Sequence, residues 1–269
     1  MEYVQLSSVQ VAAAAMLILV NAAISLMLRL RLERSLLIAS VRTIVQLSLI
    51  GLVLHWVFAL QQLALVAAML VVMTVIAGWT AFQRTELRYH RMLLDTMLAM
   101  WVGSWSVLAF AMLAVLQGAR SWHDPQYVIP LLGMILGNTL NGITLGLGSV
   151  LDGFRACRHD VETILALGGT RWEAARQPIQ KAARTAMTPI VNSMMVVGLV
   201  SLPGMMTGQL LSGVEPVEAV KYQIVIMFLI ASGTAIGAVG VILLAYRRLF
   251  NERHQFLFAR LHRADVTGR

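Results

Sequence analysis

The sequence predicts an all-α, polytopic transmembrane helical bundle of about seven spans, formed by one domain. Two observations support this prediction. Hydrophobic residues make up 58% of the chain and charged residues only 13%, and its apolar segments reach the ~20 residues that a helix needs to cross a bilayer. Basic residues are also concentrated in alternate connections between these segments, which is typical of polytopic membrane proteins. Little of the 269-residue chain is left over for a soluble domain.

The apolar segments follow one another along the chain, and each is long enough for one span. The first carries no charge and follows an acidic N-terminus without a basic segment, so we expect it to be retained rather than cleaved as a signal peptide. The predicted spans are Val9–Leu28, Leu36–Phe58, Leu63–Phe82, Leu93–Gln117, Tyr127–Leu151, Pro189–Leu211 and Tyr222–Tyr246.

The distribution of basic residues predicts the orientation. Of the 21 Lys and Arg residues, 18 lie in alternate loops and the C-terminal tail, whereas the opposite loops hold only Arg120 and Lys221. The positive-inside rule then places the N-terminus outside and the C-terminus in the cytoplasm, which requires an odd number of spans. The net charge of +8 therefore reflects topology, and basic residues spread over four regions do not form a nucleic-acid-binding face.

Several classes of function have no support in the residues. Cys157 is the only cysteine, so no internal disulfide can form, and the six histidines do not show zinc-site spacing. The chain has no phosphate-binding glycine loop followed by lysine and no constellation of catalytic acid, base and nucleophile. We therefore expect neither an enzyme nor a resident cofactor, and any ATP that drives this protein should bind to another chain.

The sixth predicted span contains a helix break. Pro203 and Gly204 lie within the run Val200-Ser201-Leu202-Pro203-Gly204-Met205-Met206, and proline inside a helix removes a hydrogen bond and clashes with the preceding turn. Such a break in lipid is tolerated where neighbouring helices or a cavity satisfy the freed carbonyls, as in many transporters. A proline kink that only shapes helix packing is the alternative.

Polar residues near this break are candidates for a transport pathway, although interhelical hydrogen bonding explains them equally well. The methionines could bind a soft ion, but packing is the stronger interpretation because no Cys or His accompanies them, so no metal ligand is assigned. Asp95 is expected to pair with Arg88 or Arg91. The candidate pathway residues are Asn138, Asn141, Asn192, Ser201, Pro203, Gly204, Met205 and Met206.

The longest predicted cytoplasmic loop, at about residues 152–188, contains a helix–turn–helix pattern. Apolar residues at helical spacing predict a helix that ends at Gly168-Gly169. Thr170 and Glu173 form a capping-box signature that starts a second helix through Trp172 to Ile179. The result is a rigid element that a soluble partner could bind, or alternatively an amphipathic hairpin lying on anionic lipid.

Two sets of residues resemble a known family over nearly the whole chain. Glu162, Leu167-Gly168-Gly169-Thr170 and Trp172 resemble the EAA loop with which ABC-importer-type permeases contact their ATPase. Ile129-Pro130-x2-Gly133-Met134-x2-Gly137-Asn138, the run Val200 to Gly208, and Pro216-x2-Ala219-Val220-Lys221-Tyr222-Gln223 are similar to the FetB family. FetB proteins are ABC permeases linked to iron export, with plant relatives linked to aluminium tolerance.

The resemblance implies one permease domain over residues 1–269, a homodimer in a bacterial inner membrane, and a separate ATPase that binds the loop. The expected ATPase-contacting residues are Glu162, Leu167, Gly168, Gly169 and Trp172. One departure concerns the substrate: some family members have an Asp and a Lys near positions 192 and 195, where this chain has Asn192 and Met195. Iron and the export direction are implied by the resemblance alone.

Two alternatives to an iron-exporting ABC permease remain open. One is an ABC permease for another metal or small solute. The other is a secondary transporter, which would normally need carboxylates within the membrane to couple ion movement; mid-span Asp and Glu are absent from this sequence. A membrane enzyme or scaffold would require the catalytic residues that the sequence lacks.

Overall fold

The structure, a computed structural model, describes residues 7–30, 32–60, 62–115 and 124–263. Arg120, one of the two basic residues in the predicted external loops, and the last two residues of the predicted fourth span lie outside the described residues. The described chain is almost entirely helical, and it forms two compact units. One comprises residues 1–62 with 211–213, and the other comprises residues 63–210 with 214–269.

The first unit is a helical hairpin. Helix α1 covers Ser8–Met27 and helix α2 covers Glu33–Leu60, and the two pack against each other. Helix α1 begins with a capping box between Ser7 and Gln10. Ser25, near its end, donates a hydrogen bond to Glu33 Oε2 at 2.9 Å and accepts one from the backbone N–H of Leu32. These bonds hold the connection between the helices.

The second unit contains the remaining helices and a small two-stranded sheet. Helix α9 packs against α4, α5 and α7, and α5 also packs against α3 and α4. In chain order the elements are α3 (Leu63–Gln83), β1 (Leu87–Arg88), α4 (Met92–Phe110) with a π-helical end (Ala111–Val115), α5 (Pro125–Ala156), α6 (Arg158–Ala166), α7 (Arg171–Val196), α8 (Gly204–Leu211), α9 (Pro216–Leu249), a 3-10 turn (Phe258–Arg260) and β2 (His262–Arg263).

Six of the described helices, α1 to α5 and α9, are long and apolar enough to cross a membrane. The sixth predicted span, Pro189–Leu211, is not a single helix. Helix α7 begins at Arg171, inside the predicted loop, and continues without interruption to Val196, well beyond the expected end near Ile179. Its two internal prolines, Pro178 and Pro189, do not end it. The protein is thus an all-α polytopic bundle whose sixth segment is irregular.

Glycine allows the closest helix contacts in the second unit. A Cβ added at Gly103 of α4 would lie 2.8 Å from the backbone nitrogen of Gly237 on α9, and one added at Gly237 would lie 2.5 Å from Thr139 Cγ2 on α5. Glycine at these positions lets the helix backbones approach more closely than a larger side chain would permit. Gly233, one turn before Gly237, is equally close, since its added Cβ would lie 2.9 Å from Ile135 Cγ2. Gly137 and Gly204, which belong to Gly-x3-Gly pairs elsewhere in the chain, have no neighbour within 4 Å of an added Cβ in the described structure.

A buried ion pair joins α4 to the last turn of α9. Arg248 donates from Nε to Asp95 Oδ2 at 3.0 Å and from Nη2 to Oδ1 at 2.9 Å, and the Asp95 side chain is only 3% exposed. The expectation that Asp95 pairs with Arg88 or Arg91 is therefore wrong. Arg88 and Arg91 are neighbours of Asp95 in the sequence, whereas the folded bundle brings the end of α9 against the start of α4.

We predict that Arg248→Met lowers the free energy of unfolding by about 3 kcal/mol, because it leaves the Asp95 carboxylate buried without a counter-ion. Combining it with Asp95→Leu should restore most of the stability, since no buried charge then remains. Thermal unfolding of the two variants in the same detergent measures both effects. A double variant that is as unstable as Arg248→Met would contradict this account.

Candidate functional site: hairpin and helix break

Helix α6 and the start of α7 form a hairpin with a defined glycine turn. The backbone N–H of Gly169 donates to the Ile164 carbonyl at 2.9 Å and that of Gly168 to the Leu165 carbonyl at 3.1 Å, which is the Schellman pattern of a helix C-terminus. Gly168 has φ +88, a conformation that favours glycine. A Cβ at Gly169 would lie 2.6 Å from Ile164 Cγ2. The predicted turn between two helices is confirmed, and both glycines are required by its geometry.

A capping box starts α7 directly after this turn. The backbone N–H of Glu173 donates to Thr170 Oγ1 at 3.3 Å, and that of Thr170 donates to Glu173 Oε2 at 2.7 Å. The hydrogen bonds from the Thr170 backbone and hydroxyl hold the pKa of Glu173 below its usual value. The predicted capping box is confirmed, and it makes the connection between the helices short and rigid.

The tip of the hairpin exposes apolar side chains. Leu167 is 84% exposed and Trp172 is 47% exposed, whereas Val161 on the opposite face of α6 is buried. Glu162 is half-exposed and accepts a hydrogen bond from Arg158 Nε at 2.7 Å. An exposed leucine at the end of a rigid turn is suited to insertion into a groove of a partner. Of the five predicted contact residues, two also pack within the described chain: Gly169 lies against Ile164, and the Trp172 ring lies edge-on to the Tyr246 ring with their centres 5.7 Å apart.

The C-terminal tail, residues Phe250–Arg263, contacts both helices of the hairpin. The backbone N–H of Arg171 donates to His254 Nδ1 at 2.9 Å, and its Nη1 donates to the carbonyl of Asn251 at 3.1 Å. The guanidinium of Arg158 lies 4.2 Å from the centre of the Phe258 ring, a cation–π contact. This tail is a part of the site that no pattern in the sequence predicted.

Aromatic packing and a short sheet anchor the tail to the bundle. The Phe250 ring lies 5.4 Å from the Phe154 ring at the end of α5 and 5.0 Å from the Phe256 ring. Strand β2 pairs antiparallel with β1, which follows α3. The alternation of aromatic residues at the end of the chain could have indicated a folded tail, but nothing local to it specifies the hairpin as its partner.

The break between α7 and α8, residues Val197–Pro203, is confirmed as an irregular segment. Gly198 has φ +82 and donates its backbone N–H to the Ser201 carbonyl at 2.9 Å. Helix α8 starts at Gly204, and the Thr207 hydroxyl donates to the Pro203 carbonyl at 3.1 Å. Pro203 therefore precedes a new helix rather than kinking an existing one.

Helix contacts indicate the depth of this break. Helices α5 and α7 are antiparallel, since an added Cβ at Gly153 or Gly146 of α5 would lie 3.2 Å from Pro178 or Ala186 of α7. The same register brings the end of α7, Val196, to the level of about Leu136. That level is close to the middle of the predicted fifth span, so the helix breaks where a spanning helix would ordinarily continue.

The candidate pathway residues divide between two places. Asn138 and Asn141 lie on α5, where Asn138 Nδ2 donates to the Met134 carbonyl of its own helix at 2.9 Å and exposed Asn141 accepts from Arg84 Nη1 at 3.4 Å. The Asn138 bond lies within α5, whereas the Asn141 bond connects α5 to the residue that follows α3, as the alternative of interhelical hydrogen bonding expected. Asn192, near the end of α7, is exposed at about the level of Asn141. The others lie in the break or the start of α8, with Ser201 and Gly204 exposed and Pro203, Met205 and Met206 half-buried.

The described residues do not bring together a group of three or more His, Cys, Asp or Glu side chains that could hold a metal ion. The polar groups near the break are instead amides, hydroxyls, thioethers and backbone carbonyls. This set can accept and donate hydrogen bonds along a path, but it is not a tight binding site for a hard cation, which prefers carboxylates.

Comparisons with known proteins agree with these features. Residues 8–250 match the model of the uncharacterised protein family UPF0014. The UPF0014 membrane protein slr1647 of Synechocystis is 39% identical over 244 residues, covering 90% of this chain and 94% of that protein. No solved structure matches the chain.

Two other relatives have names that refer to metals. The probable iron export permease protein FetB of Escherichia coli is 33% identical over 250 residues, covering 93% of this chain and 95% of that protein. The ALUMINUM SENSITIVE 3 protein of Arabidopsis thaliana is 31% identical over 253 residues, covering 92% and 89% respectively. The chain is thus an integral membrane protein that belongs to the UPF0014 family.

Proposed function

We propose that this protein is the permease subunit of an ABC transporter, a single domain over residues 1–269 that works as a homodimer with a separate ATPase. The observation that supports this most directly is the capped α6–α7 hairpin, which presents Leu167 at a rigid, exposed tip. The relative named as an iron export permease supports the same assignment. The expected location is the cytoplasmic membrane of a bacterium.

The contacts of the hairpin suit the transmission of force. Its second helix, α7, is 26 residues long and therefore about 39 Å from end to end. A displacement of the hairpin tip by an ATPase would thus act on the same continuous helix that ends at the break. The tail contacts at Arg171 and Arg158 keep the hairpin from moving independently of the ends of α5 and α9.

The transport path is proposed to follow the open faces of α5 and α7. Gly137 and Asn141 lie on the exposed side of α5, and Asn192 is exposed on α7 at about the same level. At this level the two faces carry a glycine and two amides, which permit close approach and hydrogen bonding between helices, and exposed apolar side chains such as Leu145 and Met195 flank them. A second copy placed against them would enclose a path lined by amides and ended by the break at Pro203.

The proposed substrate is a metal ion, with iron and outward movement suggested by the name of the Escherichia coli relative. Asn192 and Met195 stand where some family members have charged residues, so another metal or a small solute is the second candidate. A secondary transporter is less well supported. Asp95 is the only buried carboxylate among the described residues, and it is paired with Arg248.

We propose that the chain crosses the membrane seven times with its N-terminus outside. The end of α7, the break and α8 together form the sixth crossing. In Cys157→Ser protein, Glu215→Cys should then react with an impermeant maleimide in intact cells, because it lies between α8 and α9 on the outside. Ala259→Cys in the tail should react only after the cells are opened. The reverse labelling pattern would contradict the orientation.

Replacing Pro203 and Gly204 together with alanine should abolish transport while the protein still inserts. Alanine favours helix and would join α7 to α8 across the break. The assay is uptake of radioactive iron by inverted vesicles containing the permease, the ATPase and ATP. Pro189→Ala is the matched control, since α7 already continues through Pro189, and it should retain transport. Normal transport by the double variant would show that the break only shapes helix packing and is not needed for transport.

Gly168→Leu should uncouple the ATPase, because leucine is strained at φ +88 and would distort the exposed tip. We expect the variant to reach the membrane but to lose stimulation of ATP hydrolysis, measured on the purified complex in nanodiscs. Glu162→Ala should have a smaller effect, since its ion pair with Arg158 is exposed. Gln180→Leu, an exposed site farther along α7, serves as the control.

Unchanged co-purification of the ATPase with Gly168→Leu and Glu162→Ala, together with full stimulation of hydrolysis, would refute the coupling role of the hairpin. If Gln180→Leu lost stimulation to the same degree, any change on α7 would be damaging. The results would then no longer support a coupling role for the hairpin tip.

A further inference from the structure

Two adjoining cavities at the hairpin end of the bundle share one residue, Arg247. The first, here called the apolar groove, is about 410 Å³ and lies between α4 and α9, where Val102, Gly240 and Leu243 are among its lining residues. The second, here called the basic pocket, is about 610 Å³ and is lined by residues of the hairpin and the tail. Because Arg247 lines both cavities, they meet at its side chain.

The basic pocket has an excess of positive charge. Arg171, Arg247 and Arg260 line it together with a single carboxylate, that of Glu252. Arg171 and Arg260 each donate one Nη1 hydrogen bond at 3.1 Å to a backbone carbonyl, which positions the guanidinium groups without neutralising them. Within the described ranges, none of the three arginines forms an ion pair. Each guanidinium has five N–H donors, so several remain available for an anion such as phosphate.

The apolar groove has the opposite character and faces away from the core. Leu98 and Val102 of α4 are 53% and 51% exposed, and Ile236 of α9 is 42% exposed. Both helices are long and apolar enough to span the membrane, so these side chains lie where lipid chains would be. Arg247, in the last turn of α9, marks the transition from apolar groove to basic pocket. A ligand that occupies both cavities must have an apolar chain and an anionic head.

We propose that this pair of cavities binds an anionic glycerophospholipid from the leaflet at the hairpin end. One acyl chain lies in the groove between α4 and α9, and the phosphate lies among Arg171, Arg247 and Arg260. Basic pockets beside transmembrane helices bind anionic headgroups in this way. Since Arg171 also bonds to the tail, the bound phosphate stabilises the contact between tail and hairpin. This site is separate from the transported substrate and does not depend on its identity.

The test measures lipid binding to the purified full-length chain by native mass spectrometry, with dioleoyl phosphatidylglycerol and dioleoyl phosphatidylcholine as probes. Phosphatidylglycerol should bind on the order of tenfold more tightly than phosphatidylcholine, and Arg247→Gln combined with Arg260→Gln should remove this preference. Arg253→Gln, an exposed arginine of the same tail that does not line the pocket, should leave the preference intact.

A second variant tests the groove without changing any charge. Gly240 lines the groove, and an added Cβ there meets no described atom within 4 Å, so Gly240→Leu should fill the groove and weaken binding of both lipids several-fold. Gly51→Leu on α2, which is equally open, is its control and should bind lipid normally.

Equal binding of the two lipids by the unmodified protein would overturn the proposal. It would also be overturned if Arg253→Gln lost the preference for phosphatidylglycerol to the same degree as the double arginine variant. Glycerol 3-phosphate binding as tightly as phosphatidylglycerol, with no effect of Gly240→Leu, would also overturn it and indicate a site for a soluble anion. Retained preference in the double variant would show that the arginines do not bind the headgroup.

Discussion

The ion pair between Asp95 and Arg248 determines how the hairpin end of the second unit is built. A carboxylate that is 3% exposed is tolerated only with a charged or hydrogen-bonding partner, and Arg248 supplies two hydrogen bonds from the last turn of α9. Tyr89 is buried nearby, and its burial together with the charge of Asp95 raises the pKa of its hydroxyl, so the phenol stays neutral. The start of α4 and the end of α9 are therefore fixed to each other.

The position of the tail follows from this pair. The tail begins two residues after Arg248, and its first aromatic residue, Phe250, packs on Phe154 at the end of α5. From there it reaches back to Arg171 at the start of α7 and forms β2 against β1. The ends of α4, α5, α7 and α9 thus meet in one cluster. A hairpin held in this way can transmit a displacement into the helices instead of bending at its base.

Inside lipid, backbone groups must find partners within the protein. At the depth that the register of α5 and α7 indicates for the break, two local bonds contribute to this: Gly198 donates to Ser201, and the Thr207 hydroxyl donates to the Pro203 carbonyl. The segment is consequently a structured irregular turn between two helices. The close contact of α4 with α9 at Gly103 and Gly237 has a related consequence, because helices that approach so closely leave a shallow groove between their outer side chains.

Much of this architecture is determined by the sequence alone. Long apolar segments specify most of the spanning helices because a helix in lipid needs only its own length and hydrophobicity. The glycine turn and the Thr170–Glu173 capping box were also predictable, since their hydrogen bonds connect residues within six positions of each other. The presence of a helix break was predictable too, because proline and glycine are poor helix formers: Pro203 directly precedes α8, and Gly198, with φ +82, follows the end of α7.

Only the tertiary structure decided which distant residues meet. Asp95 and Arg248 are separated by 153 positions, and Arg171 and His254 by 83, so local spacing favoured the wrong partners for Asp95 and gave none for the tail. The extent of α7 was decided in the same way. Buried Ala175, Ala182 and Ala186 pack along its length, and that packing carries the helix beyond Ile179, where the sequence prediction ended it.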